Sequence, residues 1–218
     1  EARELNCDVA SKSVVLLKNK DNLLPLDKSS IKTIGVIGPN ADSRSALVGN
    51  YEGTASRYIT VLEGIQDYVQ DEVRVLYSQG CHLYKDRTSN LAMENDREAE
   101  VRGVCEASDI VIAVMGMDAT LEGEEGDTGN EYGSGDKPTL ALPGLQHNIL
   151  KVAKECGKPV ILVCLTGSAM SLTWEEENLQ KSVQWCDAVV AGPGIGQDAE
   201  AFRMLQRTLE LGKKRNLP

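Results

Sequence analysis

The sequence predicts a three-layer α/β/α sandwich built on a mainly parallel sheet. Three observations carry that expectation. Short apolar runs rich in Val and Ile recur at 31–38, 73–77, 109–116, 159–165 and 188–191. Stretches of helical periodicity separate them, so strand and helix alternate along the chain. The runs are continuously apolar rather than alternating, which suits strands covered on both faces by helices. Right-handed crossovers then give a flavodoxin- or Rossmann-like arrangement. With 218 residues, no internal repeat and no low-complexity segment, the chain reads as one domain over 1–218.

The elements follow in order. Residues 3–17 open with a helix on Leu5, Val9 and Ala10 and pass into the apolar run 14–17. A polar turn at 18–22 leads to 23–26 around Pro25, and 31–38 is the first strand. It ends in Gly38-Pro-Asn-Ala-Asp42, where Asn and Asp side chains are expected to bond local backbone. Residues 47–54 form a Gly-punctuated loop. Thr60 and Glu63 have capping-box spacing and open a helix with Leu62, Ile65 and Val69 on one face. The strand at 73–77 is followed by a helix over 95–107, with Val101, Val104 and Cys105 inward. Beyond the strand at 109–116, Leu145, Ile149, Val152, Ala153 and Cys156 recur at amphipathic spacing, and Gly157 stops that helix. Residues 159–165 are the most hydrophobic strand, with Trp174 at the far end of the next loop. A short strand at 188–191 leads into a Gly-rich turn, and a last helix begins near Asp198.

The formal net charge of −10 argues against nucleic acid and against an anionic membrane surface as partners. No apolar run approaches the ~20 residues of a membrane span, and no signal-peptide pattern opens the chain. The chain starts without Met, as a mature form, an expression fragment or an excised domain would. Six cysteines, at 7, 81, 105, 156, 164 and 186, show no C-x-x-C pairing and no metal spacing with the two histidines. They read as small core hydrophobes and lean towards a reducing, cytoplasmic setting, with secretion open if a signal was removed.

The chain is organised around residues 117–146. This stretch leaves an apolar strand, crosses a long loop rich in Gly and carboxylates, and enters a helix announced by Pro143. Glu122, Glu124, Glu125 and Asp127 cluster in it. Loops at the carboxyl ends of buried strands are where α/β proteins place chemistry, and long loops in compact domains are seldom incidental. Two readings stand: a catalytic proton donor among the glutamates, or a solvated acidic loop.

Several segments, in order, resemble the C-terminal α/β sandwich domain of glycoside hydrolase family 3, the family of β-glucosidases and β-xylosidases. They begin with Ser13-Val-Val-Leu-Leu-Lys-Asn19, Leu23-Leu-Pro-Leu26 and Ile34-Gly-Val-Ile-Gly-Pro-Asn-Ala-Asp42. Gly49-Asn-Tyr-Glu-Gly-Thr54, Leu62-Glu-Gly-Ile65 and Gly80-Cys81 continue the series. The most specific is Gly116-Met-Asp-Ala-Thr-Leu-Glu-Gly-Glu-Glu-Gly-Asp127, followed by Gly135-Asp-Lys137 and Leu142-Pro-Gly-Leu-Gln146. Gly157-Lys-Pro-Val160 and Trp174 complete a match over about residues 3–175.

The resemblance implies a retaining hydrolase with two carboxylates, the nucleophilic Asp lying on a preceding TIM-barrel domain. The general acid/base falls on Glu124, with Asp127 as its matching Asp and Glu122 and Glu125 as competitors. Family members commonly have Arg after that Asp; here Thr128 follows Asp127, and Lys137 follows Asp136. The implied substrate is a β-linked glucoside or xyloside, the implied partner is the barrel, and no metal or organic cofactor is required. Asn50 and Tyr51 suit a sugar site or a plain surface loop, and Asp118 joins them as a substrate-binding candidate. Without a barrel-borne nucleophile the isolated chain is expected to have little or no glycosidase activity.

From 176 onward the sequence departs from this pattern. The run Cys186-Asp-Ala-Val-Val-Ala-Gly-Pro-Gly-Ile-Gly-Gln-Asp198 resembles ribokinase-like NAD(P)H-hydrate dehydratases. It implies an alternative, an ADP- or ATP-binding module centred on 192–198, against which stands a ligand-free tight turn. A non-catalytic scaffold or carbohydrate-binding domain is the third possibility. His82 and His147 are isolated, with His147 expected on an exposed helix face, and Trp174 and Trp185 are expected to pack rather than stack on sugar.

Overall fold

The computed structural model describes residues 5, 8–9, 12, 14–19, 22–48, 53–55, 57–85, 97–121, 137–182 and 186–191. Six strands form one sheet: β1 (Val15–Leu16), β2 (Thr33–Ile37), β3 (Arg74–Ser78), β4 (Ile110–Gly116), β5 (Val160–Leu165) and β6 (Cys186–Ala191). The helices α1 (Val61–Val69), α2 (Glu98–Glu106), α3 (Gln146–Glu155) and α4 (Thr173–Ser182) fall between the later strands. The strand order is β1-β6-β5-β4-β2-β3, with β2 to β6 parallel and β1 antiparallel to β6. This is the expected mainly parallel α/β sandwich. The run at 14–17 supplies its antiparallel edge strand, which its two paired residues were too short to announce.

The continuous apolar runs divide their side chains between two cores, as the two-residue period of a strand requires. Val111, Ala113 and Met115 of β4, with Val160, Leu162 and Cys164 of β5, face α2 and α3. Ile110, Ile112 and Val114, with Ile161, Val163 and Leu165, face α1. The first three helices show the sheet their expected stripes: Leu62, Ile65 and Val69 on α1, Val101 and Cys105 on α2, Ile149 and Ala153 on α3. Burial pushes the thiols of Cys81, Cys105 and Cys164 up to about 12, which keeps them as inert core sulfur.

Local signals fix the element ends. Thr60 Oγ1 accepts the Glu63 amide at 3.2 Å and caps α1 as its spacing foretold. Asp109 Oδ2 accepts the amides of Lys32 at 2.8 Å and Thr33 at 2.9 Å, tying the start of β2 to β4. Those two bonds hold its carboxyl below the ordinary aspartate range. Gly157, at φ +68°, ends α3 in the left-handed conformation.

Trp174 does not lie in a loop: it sits in the first turn of α4, a helix the apolar pattern did not announce. Its signals are polar, with Glu175 and Glu176 in the first turn after Thr173. Among the described residues no helix is long and apolar enough to cross a membrane. The turn at 192–198 and the expected last helix lie outside the described residues.

Candidate active site

In chain order the sheet grows to one side from β2 to β3 and to the other from β4 through β6. The reversal leaves a crevice between the carboxyl ends of β2 and β4, the usual ligand position in open parallel sheets. Both strands end there on glycines that no other residue could replace without strain. Gly38 has φ +115°, and a Cβ on it would stand 2.1 Å from Val114 O. Gly116 has φ +121°, and its Cβ would stand 1.9 Å from Leu165 O. Each glycine lets its strand turn away at the end of the pairing.

Asn40, just beyond Gly38, is 1% exposed. Its Nδ2 donates to Met117 O at 3.2 Å, and its backbone amide to Val114 O at 3.3 Å. The expectation that Asn40 and Asp42 would bond local backbone is thus corrected. Asn40 reaches across to β4, while Asp42 accepts the Thr60 hydroxyl at 2.9 Å. The reason is burial, since the turn packs under the β4 exit, where tertiary partners are the nearer ones.

From Gly116 the chain runs through Met117 into a turn over 118–121. Asp118 Oδ1 accepts the Thr120 amide at 2.9 Å and the Thr120 hydroxyl at 2.5 Å. Leu121, fully buried, plugs the turn into the protein. The acidic stretch begins on the next residue. Glu122, Glu124, Glu125 and Asp127 lie outside the described residues, as do Asn50 and Tyr51. Of the seven site residues expected from sequence, the structure describes Asp118 alone.

The far end of the stretch is fixed as well. Lys137 Nζ donates to Ser168 Oγ at 2.6 Å and Ala169 O at 2.5 Å, on the connection from β5 to α4. Both ends of the acidic stretch therefore stand at the carboxyl end of the sheet, one on β4 and the other beside β5.

Gln146, at the start of α3, is fully buried. Its Nε2 donates to Leu83 O and to Gly116 O, each at 2.7 Å, and its Oε1 accepts the Gly116 amide at 2.7 Å. One residue later, His147 Nδ1 lies 2.9 Å from Glu175 Oε1, and its ring meets Trp174 edge-on at 4.2 Å. His147 was expected on an exposed face, but α4 packs over it and Glu175 is 4% exposed. Sequence reasoning missed α4 and so missed this pair. Gln146 closes one of the family-like motifs, yet a Gln opening a helix gives no sign of being buried. Among the described residues no three His, Cys, Asp or Glu side chains gather as metal ligands would.

Comparison with known proteins fits this frame. The family profile of the glycosyl hydrolase family 3 C-terminal domain matches residues 14–201. A β-xylosidase of Formosa agariphila is 33% identical over 202 residues, covering 89% of this chain and 26% of its own length. A periplasmic β-glucosidase of Salmonella typhimurium is 33% identical over 211 residues, with the same two coverages of 89% and 26%. The fold is similar to that of a GH3 exo-β-xylosidase solved with a xylobiose aziridine probe, at a TM-score of 0.76 and 27% identity over 97% of this chain and 24% of that one. The chain thus spans about a quarter of the length of the curated relatives it matches. The profile continues past 175, where the resemblance read from sequence stopped, and through the Gly-rich turn at 192–198, so the nucleotide-binding alternative is not favoured. With its profile match and its sheet in agreement, the chain belongs to glycoside hydrolase family 3, as a C-terminal domain of that family.

Proposed function

We propose that this chain is the second domain of a retaining β-glycosidase that cleaves β-linked glucosides or xylosides. In this reading Glu124 is the general acid/base, Asp127 supports it, and Glu122 and Glu125 surround it with like charge. The nucleophile and most sugar contacts come from a TIM-barrel domain. Asn50, Tyr51 and Asp118 face the sugar from this side, Asp118 through the oxygen that Thr120 does not occupy. The supporting observation is the family match, which runs through the whole acidic stretch.

The chemistry follows from the carboxyl pair. Retention needs two carboxyls about 5–5.5 Å apart, one ionised to attack the anomeric carbon and one protonated to donate to the leaving oxygen. After the glycosyl-enzyme forms, the donor, now ionised, takes a proton from water, which attacks and releases the sugar. Neighbouring carboxylates favour the protonated form of a donor, because like charges disfavour a further ionisation. The roles are split between domains, so neither domain alone completes the double displacement.

The test joins a family 3 barrel ahead of Glu1, or adds it in trans, and assays p-nitrophenyl β-glucoside and β-xyloside. The isolated chain is expected to be inactive and the pair active, with the β anomer as the first-formed product by proton NMR. Turnover by the isolated chain, or an α first product, would count against the proposal.

A further inference from the structure

We propose that Gln146 is a positioning residue, extending β4 by one hydrogen-bonded step so that the acidic stretch leaves the sheet at a fixed place and angle. This inference rests on the reading of that stretch as the bearer of the acid/base.

The pairing of β2 with β4 ends at Ile37 and Ala113, and the Asn40 amide then reaches Val114 O. Two residues beyond Met115, Met117 donates its amide to Leu165 O on the β5 side. Alternation along a parallel strand turns the amide and carbonyl of Gly116 to the opposite edge, beyond the end of β2. Gln146 fills that gap. Its side-chain amide accepts from Gly116 N and donates to Gly116 O, so one primary amide takes the place of the separate carbonyl and N–H that a neighbouring parallel strand would offer. The remaining N–H goes to Leu83 O in the connection after β3.

Both donors and the acceptor of the side chain are thus used, all on backbone of other elements and none on its own helix. A fully buried amide is stable only with such partners, so Gln146 is satisfied when Gly116 and Leu83 hold these positions. Asn40 grips the next carbonyl, Met117 O, from the β2 side. Gly116 turns the chain at positive φ, and the two amides hold the backbone on either side of that turn ahead of Glu122, the first acid of the cluster.

The test has two arms. In the isolated chain, Gln146→Met keeps the volume and removes all three bonds. Exchange of the Gly116 amide, followed by NMR, is expected to quicken at least about tenfold, with Ile112 and Val163 unchanged. In the barrel-joined enzyme, kcat/KM is compared for an alkyl glycoside, which needs protonation to leave, and a 2,4-dinitrophenyl glycoside, which does not. A displaced acid lowers the first at least about tenfold more than the second. Unchanged exchange at Gly116 overturns the proposal. Faster exchange with equal losses on both substrates also overturns it, because a merely structural residue lowers both alike. Should Gln146→Met fail to fold, Gln146→Glu keeps the length; full burial favours its neutral acid, which keeps the acceptor and one donor and loses one of the three bonds, so a smaller shift in the same two readouts is expected. Glu124→Gln, run on the same substrates, separates the two ideas: equal losses there reject Glu124 as the donor, whatever Gln146 does.

Discussion

Gln146 holds both polar groups of the Gly116 backbone, accepting its amide and donating to its carbonyl, each at 2.7 Å. A side chain from α3 thereby does the work of a strand at the place where β2 has ended. The glycine it holds is as constrained as the glutamine.

Alanine at Gly116 or Gly38 would force a Cβ against the carbonyl of the neighbouring strand, at 1.9 Å and 2.1 Å respectively, with φ in the left-handed region. Strain and displacement together are expected to cost on the order of 3–5 kcal/mol. Gly103 offers the contrast, since it lies within α2 with no atom within 4 Å of an added Cβ. Gly103→Ala is expected to stabilise by about 0.5–1 kcal/mol. Urea unfolding of the three variants checks both signs, and equal behaviour at positions 103 and 116 would refute the strain argument.

His147 and Glu175 join α3 to α4 through one contact of 2.9 Å, with the carboxylate buried. Removing the imidazole leaves that carboxylate without its partner. His147→Ala is expected to lose about 1–3 kcal/mol. Adding Glu175→Gln should recover part of the loss, because a neutral amide is less costly to bury than a charge. A double variant less stable than His147→Ala alone would show that the carboxylate is held by something else.

Asp109 gives the fold an acid-sensitive joint. The amides of Lys32 and Thr33 hold its carboxyl below the ordinary range, so the folded state binds this proton less readily than the unfolded chain does. The associated stability is complete above the unfolded value, about pH 4, and is lost as pH falls through the depressed folded value. Asp109→Asn should therefore differ most from the wild type near neutral pH, and the difference should shrink below about pH 4. Unfolding curves over a pH series test this, and a constant difference would contradict it.

The sheet was legible because each parallel strand is a short, continuously apolar run, and runs such as 110–116 have few other homes in a soluble protein. α1 was legible through Thr60, whose cap is local. What stayed hidden depends on partners distant in sequence. Asn40 looked like a turn residue, yet its side chain bonds a carbonyl 77 positions away. Gln146 looked like an ordinary helix opening, and His147 looked solvent-facing, because α4 above it has too few apolar residues to announce itself. The apolar run before it already placed the acidic stretch at a strand end, but the side-chain amides of Asn40 and Gln146 that hold that exit were not legible, because their partners lie 77 and 30 positions away.

The central claim is that Glu124 donates and recovers the proton of the glycosidic oxygen. The most direct measurement uses the barrel-joined enzyme on p-nitrophenyl β-glucoside and β-xyloside, with Glu124→Gln, Glu122→Gln and Glu125→Gln alongside wild type. Loss of the acid/base removes a step worth typically about 10²–10⁴-fold. Glu124→Gln alone is expected to lose turnover on that scale, and azide, a nucleophile that needs no general base, should restore release of the activated phenol. Full activity in Glu124→Gln, or azide rescue of a different variant, would contradict the assignment.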